Sequence, residues 1–216
     1  MKTLSKILTL GLIISLFPFY GMAETVAEAL EATTQMASRT SATFDEGVVI
    51  NGIRWATRNV DAPGTFAPYP ESPGKFFQWN RRKGWSAVGR RVRGWDSSYP
   101  IGTKWYTESD PCPEGWRVPT RDELNSLVNA GSEWATFNGI NGRLFGIVPY
   151  QIFLPAVGAR GHNTGTLRGV GGFGFYGSNT QQDSTFALNL SFGRSVNTIL
   201  SNRRASGFSI RCVKIK

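Results

Sequence analysis

Residues 80–95 read NRRKGWSAVGRRVRGW, which sets Arg81, Arg82, Lys83, Arg90, Arg91 and Arg93 around Trp85 and Trp95 with no acid among them. Trp79 and Trp105 flank the run. An arginine fork pairs in two-pronged fashion with phosphate, sulfate or carboxylate. An indole stacks on a base or covers the apolar face of a sugar ring. In a cytoplasmic chain this combination reads as phosphate contact plus base stacking. In an exported chain it reads as recognition of glycans or other anionic surface ligands. For each tryptophan alone, packing into a core is the competing role, because a long loop needs aromatic filling of its own.

The compartment therefore decides. Lys2 and Lys6 precede the apolar run Ile7 to Tyr20, and the small-residue site Gly21-Met22-Ala23 follows it. That order predicts a secretory signal peptide over residues 1–23, cut after Ala23. The run is shorter than the roughly 20 residues that span a bilayer, contains Pro18, and is not followed by a second one. No transmembrane segment is expected after cleavage, and no cysteine follows the run to carry a lipid anchor. Cleavage removes two lysines and no acid, taking the formal charge from +9 to +7. The expectation is an exported protein, in the periplasm, on the outer surface or secreted, and nucleic acid is not its partner. Glycans, anionic surfaces and cell-surface proteins remain.

The other chemistry-bearing residues are sparse. Cys112 and Cys212 are the only cysteines, and an even count in an oxidising compartment points to one disulfide. A reactive thiol paired with the single histidine, His162, would need a free thiolate and an orienting group that the sequence does not supply. Gly172-Phe173-Gly174-Phe175-Tyr176-Gly177 fits G-x-G-x-x-G, but a strand-like segment follows instead of the helix that would hold a pyrophosphate. A turn or a close packing point is the expectation there. One histidine and two paired cysteines cannot assemble a zinc site of the usual kind. No cofactor is expected; calcium stays open in principle through Asp, Asn and backbone oxygens, with no EF-hand loop to support it. Asp96, Glu108, Asp110 and Glu114 could pair as glycosidase carboxylates only if the fold brought them together. No G-x-S-x-G elbow is present. The reading is a non-catalytic protein.

The elements that position these residues follow from local signals. Residues 24–46 are small and polar, a tether or short helix followed by a linker. GVVINGIRWATRNV opens the domain with two β-rich runs around Asn51-Gly52, the pair a tight hairpin requires. Residues 61–117 show no sustained period but accumulate proline, glycine and tryptophan, so this region is expected to pack on itself. Residues 120–130, TRDELNSLVNA, carry a capping box at Thr120 and Glu123, an apolar stripe at Leu124, Leu127 and Val128, and a stop at Gly131. GRLFGIV, QIFLPAV, STFALNLSF, VNTIL and GFSIRCVKI then read as strands. The class is α+β with small antiparallel sheets, one or two helices and long irregular loops, in one domain over residues 47–216.

INGIRWATRNVDAPGTF, GKFFQWNRRKGW, DPCPEGWRVPTRDELNSL, FLPAVGARG and GFSIRCVK, in that order, resemble the Fibrobacter succinogenes major paralogous domain. That family of exported Bacteroidetes and Fibrobacteres proteins is grouped with C-type-lectin-like folds. The resemblance covers residues 47–216. It implies N- and C-terminal strands that come together, a helix beside them, a long irregular region projecting from a small sheet, and a Cys112–Cys212 disulfide joining the helix region to the last strand. Many members carry Tyr-Trp-Ser-Ser where this chain has Phe175-Tyr176-Gly177-Ser178-Asn179, so a role for that tryptophan does not transfer. The Glu-Pro-Asn and Trp-Asn-Asp signatures of calcium-dependent sugar-binding lectins are absent, and so is the reactive cysteine pair of the related formylglycine-generating enzymes. The expectation is a binding or adhesion module whose ligand candidates are Trp79, Arg81, Arg82, Trp85, Arg90, Arg91, Arg93, Trp95 and Trp105. A structural subunit of a cell-surface assembly is the alternative, and an exported hydrolase using Asp96 or Glu108 the third.

Overall fold

A computed structural model describes residues 19–215; the signal segment up to residue 18 lies outside the described residues. Two compact units divide at Arg39 and Thr40. The first holds most of helix α1 (Phe19–Thr43), whose run AETVAEALEATTQMAS is rich in strong helix formers. Among the described residues no helix is long and apolar enough to cross a membrane.

The second unit begins with β1 (Val48–Ile50) and β2 (Ile53–Trp55), paired from Val48↔Trp55 to Ile50↔Ile53. Asn51 and Gly52 take φ of 49° and 75°, the doubly left-handed turn that Asn-Gly supplies at least cost. The aperiodic region folds on itself as expected. It contributes β3 (Lys75–Gln78), β4 (Gly84–Ser86), a single 3-10 turn at Thr107–Ser109 and β5 (Trp116–Arg117). Helix α2 (Arg121–Asn129) has both arms of its capping box: Glu123 N–H donates to Thr120 Oγ1 at 3.1 Å and Thr120 N–H to Glu123 Oε2 at 2.8 Å. Glu123 also receives both prongs of Arg117, at 2.6 and 2.8 Å. Leu124 and Leu127 point into a core of Trp55, Phe145, Leu190 and Phe192, as the helical spacing predicts.

The strands then begin earlier than the sequence reading placed them. β6 (Ser132–Phe137) and β7 (Ile140–Ile147) form a hairpin around Asn138-Gly139, with φ of 48° and 79°. This second Asn-Gly carries the same signal as the first. β8 (Tyr150–Pro155) completes a sheet ordered β6-β7-β8. After the short β9 (Ala159–Arg160) and β10 (Leu167–Arg168) comes β11 (Gly174–Gln181). The Gly174–Gly177 part of the glycine-rich motif is therefore strand rather than turn. Its packing role holds at Gly174, where a Cβ would lie 2.2 Å from the Phe192 ring. β12 (Phe186–Phe192) and β13 (Asn197–Arg203) extend it into β11-β12-β13.

The C-terminal strands close the unit. β14 (Gly207–Phe208) joins β9 and β3 in a sheet ordered β10-β9-β14-β3-β4, and β15 (Val213–Lys214) lies between β2 and β5 in β1-β2-β15-β5. The first and last strands thus share one sheet. The class is α+β, rich in small antiparallel sheets. Cys112 and Cys212 are bonded, with 6.1 Å between Cα atoms across 100 residues of chain. Val60, Phe66, Phe77, Trp116 and Ile210 pack around that link.

Converting both cysteines to alanine is expected to cost roughly 2–5 kcal/mol, the range for releasing a native cross-link of this loop length. Urea unfolding with and without reductant measures it. A change under about 0.5 kcal/mol would mean that the core, and not the cross-link, holds the two ends.

Candidate functional site

Gln78, the last residue of β3, organises the start of the basic strip. Its amide donates to Asp96 O at 2.6 Å and Ala205 O at 2.8 Å, and its Oε1 accepts from Trp85 Nε1 and Arg81 Nη1, each at 3.2 Å. Trp85 is thereby turned inward. It packs against Trp95 with ring centroids 4.8 Å apart, and Trp95 Nε1 donates to His162 O at 2.8 Å. Gly165, at φ +62°, gives the Trp95 ring its room: a Cβ there would stand 2.6 Å from it.

This geometry corrects the reading of the tryptophans as a stacking platform. Trp79 and Trp85 are each 4 % exposed. Arg204 covers Trp79 at 4.1 Å from the ring centroid, with the Trp105 ring set edgewise against it at 6.0 Å. Trp95 and Trp105 are half-buried, Trp95 packed on the Trp85 cluster and Trp105 on the cluster around the disulfide. Trp79 and Trp85 are spent on filling the long loops and Trp95 and Trp105 are largely packed, so the arginines carry most of what is left of the site.

The arginines divide into two groups. Arg81 pairs with Asp96 at 2.5 Å and donates to Ser98 Oγ at 2.7 Å. Arg82 Nη1 donates to Asp110 O at 2.7 Å. Both are tied down. Arg90, Arg91 and Arg93 are exposed, and among the described residues none of their guanidiniums has a hydrogen bond or an ion pair. Their loop is nevertheless held firmly, by an arginine the sequence reading did not single out. Arg160 is 0 % exposed. Its Nε donates to Ser86 O at 2.7 Å, its Nη2 to Val88 O at 2.8 Å and Gly89 O at 3.1 Å, and its Nη1 to Gly165 O at 2.6 Å. Leu167 N–H donates to Arg90 O at 2.9 Å, and Val92 packs onto the Trp85 cluster. The tip is fixed from below while its charges face outward.

More positive charge converges on the neighbouring loop. The Leu167–Arg90 bond sets the tip beside Arg168, which is exposed at the end of β10. Arg203, at the end of β13, lies over Phe186 at 5.4 Å and donates to the Tyr99 hydroxyl. Burial and then the charges of Arg203 and Arg168 push the His162 imidazole below its ordinary 6.5. The 90–93 tip, Arg168, Arg203 and His162 thus make up a basic region, linked by the Leu167–Arg90 bond and by the arginine charges that reach His162. Its unpaired forks can take sulfate, carboxylate or phosphate oxygens without first breaking an internal pair.

Arg82 and Trp105 lie elsewhere, on an open cleft of about 960 Å³ beside the disulfide, shared with Asp110, Glu114, Trp116 and Arg117. Asp110 accepts from Cys112 N–H at 2.9 Å and Val118 N–H at 3.0 Å, and burial raises its carboxyl above the ordinary range. Both of its oxygens are thus engaged in holding the loop to the disulfide and to β5. Asp96 serves Arg81 and Ser98. Among the described residues no three of His, Cys, Asp or Glu gather as metal ligands, and neither cysteine is free to pair with His162.

Replacing Arg160 with methionine is expected to cost about 2–4 kcal/mol by removing four guanidinium bonds to loop carbonyls, the one to Gly165 O fully buried. It should also raise amide exchange in residues 86–93 at least tenfold, read by hydrogen–deuterium exchange. Unchanged exchange would remove Arg160 as the holder of the tip. For His162, the folded state binds fewer protons than the unfolded one between its lowered value and 6.5. Its contribution to stability is therefore full above the unfolded value and is lost as pH falls through that window. An NMR titration should show a midpoint below 6.5 that rises in Arg203→Gln; a midpoint that does not move would place Arg203 outside the cluster. No family model, curated protein or solved structure matches this chain, so its functional reading rests on the geometry of the basic face.

Proposed function

We propose that the protein is an exported, non-catalytic binding or adhesion module with a C-type-lectin-like fold of the Fibrobacter succinogenes major paralogous type. Its basic tip takes anionic glycans or similar anionic surface ligands. The observation that carries the ligand reading is the contrast within one strip: Arg81 and Arg82 have internal partners, whereas the side chains of Arg90, Arg91 and Arg93 have none among the described residues and sit on a loop braced by Arg160. A rigid presentation of unpaired cations lowers the ordering cost of binding. Salt-screened attraction then supplies affinity and rate.

The fold reading is supported by β15 lying in the sheet of β1, by α2 packing beside the sheets, and by a disulfide from just before α2 to just before β15. Export is supported by the N-terminal charge and apolar pattern. The alternative, a subunit of a surface assembly, is favoured by one feature, the outer edge of β13, which pairs with no other strand among the described residues. The two readings are compatible, since an adhesive subunit needs both a ligand face and a neighbour.

Heparin serves as the sulfated probe and dextran as the neutral one. The parent protein should bind heparin and not dextran, with affinity falling as salt rises. Changing Arg90, Arg91 and Arg93 together to serine should weaken binding at least tenfold, about 1.4 kcal/mol or more, while stability stays within about 0.5 kcal/mol because the three are exposed. Equal binding by the variant, or none by the parent to sulfated or carboxylated glycans, would defeat the proposal.

A further inference from the structure

β13 is the outer strand of its sheet and runs in unbroken register with β12, from Phe186↔Arg203 to Phe192↔Asn197. Two bonds just beyond the paired segment, Gly193 N–H to Val196 O at 2.9 Å and Arg204 N–H to Thr185 O at 2.9 Å, set the phase of the ladder. Antiparallel pairs alternate between bonded and non-bonded positions. Residues 198, 200 and 202 therefore bond to β12, while Asn197, Ile199, Ser201 and Arg203 turn their backbone groups outward. Among the described residues, only the Arg203 carbonyl of that outward set has a backbone partner, the Ser206 N–H at 2.8 Å.

Natural sheets blunt such edges with proline, lysine, bulges or covering loops. β13 has no proline, lysine or bulge over its seven residues, and Leu200 at its centre is 45 % exposed. The opposite edge of the same sheet differs: β11 is shifted in register between Gly177 and Gln181 and bonds onward to Ser209 and Pro119.

We propose that β13 is a self-association edge, pairing antiparallel with β13 of a second copy about a two-fold axis through Leu200. The occupant follows from the order of residues along the edge. About that axis each Ile199 meets Ser201 of the other copy with its outward groups aligned, and Asn197 meets Arg203. The two Leu200 side chains oppose each other at a non-bonded position, where side chains approach most closely. No like charges fall opposite one another. The one charged residue, Arg203, faces an asparagine, and its guanidinium is already turned onto Tyr99 and Phe186 of its own chain. Such a contact is isologous and closes at two copies. It joins two three-stranded sheets into one of six strands. The area is that of one strand pair, so the dimer belongs to the weak class of interfaces and forms in the micromolar range. It uses backbone groups and not the 90–93 tip, and Arg203 at its end is the residue it shares with the basic face.

Sedimentation velocity on the purified protein should show a concentration-dependent monomer–dimer equilibrium. Ser201→Pro removes one outward N–H and no β12 bond, and Leu200→Arg sets two cations at the axis. Each should weaken association at least tenfold while thermal unfolding stays unchanged. Leu200→Cys should cross-link rapidly to a covalent dimer on mild oxidation, and Val170→Cys, also exposed, should not. A parent that stays monomeric up to high micromolar concentration, with Leu200→Cys cross-linking no faster than Val170→Cys, would overturn the proposal. So would a monomer whose β13 edge captures a different chain. Association that persists in both Ser201→Pro and Leu200→Arg would place the contact elsewhere and overturn it as well.

Discussion

Long loops can be buried only where their carbonyls find donors, and in this protein three guanidiniums supply them. Arg160, Arg204 and Arg211 are all buried, and each spends its donors mainly on backbone or amide oxygens. Arg160 gathers the carbonyls of residues 86, 88, 89 and 165. Arg204 takes Pro100 O at 3.2 Å and Gly102 O at 2.8 Å and reaches Gln181 and Asp183. Arg211 holds Asn59 Oδ1 at 2.8 and 3.1 Å together with the carbonyls of Ala56 and Thr57. An arginine offers five donors in a fixed fork, so one side chain can satisfy several turns that no sheet ladder reaches. Burial lowers the proton affinity of all three, yet a guanidinium stays charged in proteins. The carbonyl dipoles, and not a paired carboxylate, offset most of that desolvation.

The proposed binding surface follows from this bracing. With Arg160 and the Trp85–Trp95 pair holding residues 86–95 from beneath, the tip cannot fold its arginines inward. Gln78 and Asp96 occupy Arg81, and Asp110 O occupies Arg82. The strip that is uniform in sequence is thus divided in space, into a structural end near the disulfide and a free end near His162. The cleft beside Cys112 belongs to the first, where Asp110 serves as a loop clasp.

Much of the fold was legible because its signals are local. Asn51-Gly52 declares a hairpin through the backbone conformation it tolerates, and Thr120 with Glu123 declares a helix start through reciprocal capping. Asn138-Gly139 carried the same information as Asn51-Gly52, and following it would have placed β6 correctly. The disulfide was legible from a count of two in a chain whose N-terminus reads as an export signal. The packing of residues 61–117 could be anticipated from their tryptophans, although which faces stay open depends on neighbours far away in sequence, such as Gly165 and Arg204. The buried arginines were not legible, because arginine by composition reads as surface. Two of them have one local mark, small neighbours, Ala159 and Gly161 beside Arg160, and Ala205 and Ser206 after Arg204; Arg211, between Ile210 and Cys212, has none. The basic face was half legible: the tip lies in one run, while Arg168 and Arg203 join it only through the pairing of β10 with β9 and the course of β13.

The central claim is that the free charges of the 90–93 tip, together with Arg168 and His162, form one anion-binding face on a braced loop. An NMR titration with a short sulfated heparin fragment tests it most directly, because every amide and the single imidazole report separately. Shifts should concentrate at residues 90–93, 162 and 168, with the His162 midpoint moving upward as the anion binds and little change at Asp110, Glu114 or Trp116. Shifts centred on the cleft beside the disulfide, or none at saturating fragment, would contradict it.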